Sequence, residues 1–143
     1  MKKQRLILAC LLCVGMAVQA AGSLPQGKWT VTQVTVEKKT NGNLQTSVHN
    51  TAAQVTSILP CPQEWEIGTN SILLRYADGR EETTQYTVDG NTFTIAATGA
   101  VQLYEYSLSG STLTLTITQQ YKYNTAVGQV DNIEEKWIIS LKQ

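Results

Sequence analysis

Residues that do chemistry are scarce in this chain. It has one histidine, His49, three cysteines and three prolines among 143 residues, and only 15% of them are charged. A single histidine and so few cysteines fall short of the usual three- or four-ligand metal sets. His49 has no carboxylate at a diagnostic spacing and reads as a surface or loop residue. No Gly-x-Ser-x-Gly turn is present to sharpen a nucleophile, and no glycine-rich phosphate loop opens a helix. Glu81-Glu82 and Glu134-Glu135 are sequence neighbours that a strand points to opposite faces, so they read as solvated charge and not as catalytic dyads. Clustered Lys and Arg are missing as well. Lys38-Lys39 is an isolated pair beside a turn, which leaves nothing to track a phosphate backbone and excludes nucleic acid as a partner. The expectation is a protein that is not an enzyme and uses no cofactor and no metal.

A run long enough to cross a membrane is also absent. The apolar stretch from Leu6 to Val18, behind Lys2, Lys3 and Arg5, is too short for a spanning helix and has the layout of a signal-peptide core. Val18-Gln19-Ala20 supplies small residues for a cut before Ala21, and Gly22, Ser23 and Pro25 discourage any helix from continuing. A lipid anchor fits poorly: Cys10 follows too few apolar residues, and Cys13 has Leu11 and Leu12 where small residues are needed. Residues 1–20 are therefore expected to be a signal peptide and residues 21–143 a single exported domain, periplasmic or secreted, with no stable membrane span. Cleavage removes three of the eleven basic residues and none of the eleven acids, so the remaining chain is mildly acidic. Cys61, between Pro60 and Pro62, is left as the one cysteine and reads as a small buried or loop residue with no intramolecular disulfide.

What the chain has in quantity is alternation. Ile72, Leu74 and Tyr76 form one apolar row, and Asp78-Gly79 then supplies a tight hairpin turn. Tyr86 and Val88 continue on the next strand up to Asp89-Gly90-Asn91. Phe93, Ile95 and Ala97 follow, closed by Thr98-Gly99-Ala100. Tyr104, Tyr106 and Leu108 lead to Ser109-Gly110-Ser111. Leu113, Leu115 and Ile117 face away from Thr112, Thr114, Thr116 and Thr118, and after a loop with Gly128 and Asp131-Asn132 come Trp137, Ile139 and Leu141. Turns recurring every ten residues or so, with one apolar face per strand, specify an antiparallel meander. A meander this long removes its free edges by curling until the first and last strands pair. The first strand, from Lys28 to about Glu37, shifts its alternation near Thr32-Gln33, which predicts a bulge or a sharp bend there. Residues 41–67 are less legible: Asn41-Gly42-Asn43 is a hairpin turn, while Thr51 to Leu59 fits a strand, a loop or a short helix that caps one barrel mouth. The fold expected is all-β, an up-and-down barrel of about eight to ten strands.

Gly27-Lys28-Trp29 at the start of the first strand, the meander through Asp78-Gly79 and Asp89-Gly90-Asn91, and the apolar last strand Trp137-Ile138-Ile139-Ser140-Leu141 together resemble the lipocalin-like domains of exported bacterial proteins. The resemblance covers nearly all of residues 21–143. It implies that Gly27 allows a close chain passage at the closed end and that Trp29 plugs that end under a stacked basic side chain. Lys142 and Lys136 are the available partners, neither of them the arginine of the family pattern.

The inward rows carry a heavy aromatic load: Trp65, Tyr76, Tyr86, Phe93, Tyr104, Tyr106 and Tyr121. Rings of this size either fill a small barrel or line a pocket in it, and tyrosines meeting at one mouth make an amphipathic wall. These seven are the candidate ligand-binding residues. The function expected is a carrier or sequestering barrel for a small apolar or amphipathic molecule. The other reading is a protein-interaction module with a filled core, presenting loops or the threonine row Thr112 to Thr118 to a partner.

Overall fold

The structure is a computed structural model in which residues 24–143 are described, so the expected signal peptide and its cut before Ala21 lie outside the described residues. Nine strands form, most of them separated by the turns predicted from glycine-containing pairs, while Asp131-Asn132, expected in a loop, belong to the last strand. The strands are β1 (Gly27–Thr40), β2 (Asn43–His49), β3 (Glu64–Ile67), β4 (Ser71–Arg75), β5 (Glu81–Asp89), β6 (Thr92–Ala97), β7 (Ala100–Ser109), β8 (Thr112–Ala126) and β9 (Gln129–Lys142). All pairings are antiparallel, in the order β2-β1-β3-β4-β5-β6-β7-β8-β9, and β1 also pairs with β9. That last pairing closes an eight-stranded barrel from β1 and β3 to β9, with β2 as an added strand. The all-β closed meander expected from alternation is the fold observed.

Two features of β1 shape the molecule. Its register against β9 slips between Val31 and Gln33, where a bulge or sharp bend is predicted, so that Trp29, Val31, Val34 and Val36 all face inward. One edge of β1 is also shared: Gly27 to Thr30 pair with β3, and Val34 to Thr40 pair with β2. Because β1, β8 and β9 each run 14 or 15 residues while β3 and β4 run 4 and 5, the sheet β2-β1-β9-β8 projects past the barrel wall.

The end at Trp29 is tightly closed. Trp29 is buried and its Nε1 donates to the Pro25 carbonyl at 3.0 Å. Gly27 has φ +122, and a Cβ there would lie 2.4 Å from Nε2 of Gln143, which itself donates to the Gln26 carbonyl. Only glycine accepts that backbone angle without strain. The close passage expected of Gly27 is thus present. A stacked lysine is not: among the described residues the cation–π contact is Arg80 over Tyr76, and none forms on Trp29.

Thr51 to Leu59 contains a single 3-10 turn, Ala52–Gln54, in an otherwise irregular segment. Gln63 ties the segment to β1, since its Oε1 accepts from the Ala52 N–H at 2.8 Å and its Nε2 donates to the Val31 carbonyl at 3.0 Å. Thr56 lies beside Val36 and Lys38, and Ile58 and Leu59 lie beside Ile117 and Gln119, so the segment crosses the mouth opposite Trp29. Cys61, in the same segment, is buried and free, and burial pushes its thiol up to about 12.

Two sequence expectations are corrected. Leu108 is 52% exposed although Leu113, directly across from it on β8, is fully buried, because Leu108 sits one residue from the end of β7, at the rim of the barrel. Glu135 is fully buried, where Glu134-Glu135 reads as solvated charge.

Candidate functional site

The seven aromatic residues divide into a packed middle and two ends. Trp65, Phe93 and Tyr104 are fully buried in mutual contact. Phe93 and Tyr104 stack at 5.2 Å between centroids, while Trp65 meets them edge-on at 6.4 and 5.3 Å. The Tyr104 hydroxyl donates to Oε1 of Gln102 at 2.6 Å, and burial raises its proton affinity well above the ordinary tyrosine range. None of these three lines the hollows at the mouth opposite Trp29.

The other four tyrosines do not converge. Near the Trp29 end, the Tyr86 hydroxyl donates to the carbonyls of Gly68 and Thr69, and that of Tyr106 to the carbonyl of Gly90. At the opposite mouth, the Tyr76 hydroxyl donates to Glu82 at 3.4 Å, and burial, reinforced by that carboxylate, pushes it up to about 12. Tyr121, also at this mouth, donates to Oε2 of Glu135 at 2.9 Å. Burial first, and then the Glu135 carboxylate, push its hydroxyl up to about 12.

The residues around Tyr121 make an organised polar arrangement facing the barrel axis. In antiparallel register, side chains directly across from one another share a face. Reading across β2, β1, β9 and β8, one inner row is Ser47, Val36, Trp137 and Ile117. The next row toward the rim is Gln45, Lys38, Glu135 and Gln119, and the rim row is Asn43, Thr40, Ile133 and Tyr121. The face therefore turns from apolar to polar in a single step of the pleat.

Glu135 anchors that step. Its Oε1 accepts from Nε1 of buried Trp137 at 2.6 Å, and its Oε2 accepts from Tyr121. Two donors stabilise a carboxylate that could not otherwise lose its water. Lys38, directly across the strand pair, forms no ion pair among the described residues. On the other side of Glu135, both amide atoms of Gln119 are buried without a hydrogen-bond partner. Buried polar atoms left without partners are uncommon in folded proteins and mark places where a further polar group fits. A hollow of about 520 Å³ opens against this row, lined by Val36, Lys38, Gln45, Ser47, His49, Thr56 and Glu135. A second, of about 540 Å³, enters beside Gln119 where β7 and β8 part.

Of the seven residues expected from sequence, Tyr121 alone belongs to this arrangement. Glu135 and Lys38, which read from sequence as solvated charge and an isolated basic pair, complete it together with Gln119, although extending the inward row Leu141, Ile139, Trp137 by one more step reaches Glu135. His49 ends β2, and its Nε2 lies 3.1 Å from the Ser47 hydroxyl at an exposed position. Among the described residues no group of three His, Cys, Asp or Glu side chains is placed to hold a metal ion. No protein-family model matches the chain, and no curated protein or solved structure matches it significantly.

Proposed function

We propose that this chain is an exported, non-enzymatic barrel of lipocalin-like type that binds a small amphipathic molecule at the mouth opposite Trp29, and not in the middle of the barrel. The observation that carries this reading is the inner row Gln45, Lys38, Glu135 and Gln119, in which the unpaired ammonium of Lys38 borders a hollow of about 520 Å³ and the unpartnered amide of Gln119 borders a second of about 540 Å³. An acidic head group suits Lys38, with the Gln45 and Ser47 side chains as further donors, while Val36 offers an apolar wall. The packed Trp65-Phe93-Tyr104 cluster supports the move from the middle to the mouth, because those rings fill the space that an internal ligand would need.

The test has two parts. Native mass spectrometry of gently purified protein should reveal a lipid-sized adduct, and a medium-chain fatty acid should change the emission of Trp137, whose indole is bonded to Glu135. Lys38→Met should weaken that binding by about tenfold, the equivalent of ~1.4 kcal/mol, with the fold intact. A bare mass together with no response to the fatty acid favours the second reading, a protein-interaction module, for which the filled core is the supporting observation.

A further inference from the structure

We infer that β2 is a self-pairing edge, through which two copies of this chain join antiparallel about Thr46 into one continuous sheet. This inference stands apart from ligand binding and rests on the strand itself. β2 ends the strand order, so among the described residues one of its edges has no neighbour, and Asn43 to Val48 are all exposed. Natural sheets guard such edges with lysine, proline or a bulge. β2, with the sequence NLQTSVH, has none of these, and its register against β1 is unbroken.

The backbone of that edge is arranged for pairing. Asn41 and Gly42 form a two-residue turn with positive φ at both positions, 51° and 88°. In such a hairpin the flanking pair, Thr40 and Asn43, exchanges hydrogen bonds, and bonded pairs then recur at every second residue. Gln45, Ser47 and His49 are thus bonded to β1. Leu44, Thr46 and Val48 point their N–H and C=O groups at the free edge.

The side chains match about the same centre. A two-fold axis through Thr46 sets Leu44 against the partner's Val48, Thr46 against the partner's Thr46, and Val48 against the partner's Leu44. Each of these is a hydrogen-bonded pair, which makes about six backbone bonds in all. Leu44 and Val48, 55% and 59% exposed in the single chain, come together on the outer face. β2 contains no Lys, Arg, Asp or Glu, so pairing opposes no like charges of these residues. On the inner face, Gln45 meets the partner's Ser47, which extends the row Gln119, Glu135, Lys38 and Gln45 across the join.

Sedimentation of the purified protein over a range of concentrations tests the inference. The expected result is a species of twice the chain mass that Thr46→Lys reduces to a single chain, weakening association at least about tenfold, with circular dichroism unchanged. Should Thr46→Lys fail to fold, Leu44→Lys at its exposed position takes its place with the same expected result. Thr46→Cys should be linked between two chains by a short bis-maleimide, which spans the ~5.5 Å between opposed Cα atoms of a hydrogen-bonded pair. A single-chain mass at every concentration overturns the inference. So does a dimer that survives both lysine variants, or one that Thr46→Cys does not crosslink. A chain that stays single alone and gains mass only with a different protein overturns it too.

Discussion

Glu135 shows how one side chain converts an apolar interior into a polar rim. Its two carboxylate oxygens are each held by a donor, Trp137 Nε1 and the Tyr121 hydroxyl, and the strand buries it completely. Removing the acceptor leaves the buried indole N–H of Trp137 without a partner, which costs about 1–3 kcal/mol. Glu135→Ala is therefore expected to lower the urea midpoint and to shift Trp137 emission. Glu135→Gln keeps one acceptor oxygen and should lose less. At this scale the sequence was partly readable. Period-two alternation runs through Ile133, Glu135, Trp137, Ile139 and Leu141, so the inward direction of Glu135 is written in its neighbours. Its donors come from Trp137 two residues on and from Tyr121 on another strand, and the Tyr121 contact depends on the register between β8 and β9.

Between strands, Asn41 does more than make a turn. Its backbone sits at φ 51, its Nδ2 donates to Asp131 at 2.8 Å, and its Oδ1 accepts from the Asn132 N–H at 2.9 Å. The tip of the β1-β2 hairpin is thereby fastened to β9. Asn41→Ala removes both side-chain bonds and the residue type that best tolerates this backbone angle. The expected loss is about 1–2 kcal/mol, concentrated in β2. Amide exchange should accelerate at β2 while the β4-β5 and β6-β7 ladders keep their protection, and an equal acceleration everywhere would contradict local fastening. Asn41-Gly42 was legible as a turn because the dipeptide supplies the required angles. Its attachment to Asp131 and Asn132 was not, because ninety residues separate the partners.

For the whole molecule, closure gathers titrating groups that a linear chain keeps in water. Cys61 moves from 9.0 to about 12, and Tyr76 and Tyr121 from 10.0 to about 12, mainly through burial. Each holds its proton more tightly folded than unfolded, so between those values the native state binds more protons. Stability is then fully present below pH 9.0 and falls as pH rises toward about 12. Urea midpoints measured from neutral pH upward should stay flat and then decline over that window. Tyr121→Phe should make the decline shallower, because it keeps the ring and removes one of the titrations.

The sequence by itself determined the all-β meander, most of its turns and the irregularity near Thr32-Gln33, because each follows from local backbone preference or from period-two alternation. Only the tertiary structure decided that Trp65, Phe93 and Tyr104 pack on one another, that the four remaining tyrosines divide between two ends, and that Lys38, Glu135 and Gln119 fall in one row. Those outcomes depend on inter-strand register and on the path of residues 50–63. Register is a relation between distant segments, and alternation along one strand specifies which face a side chain takes but not what lies across from it.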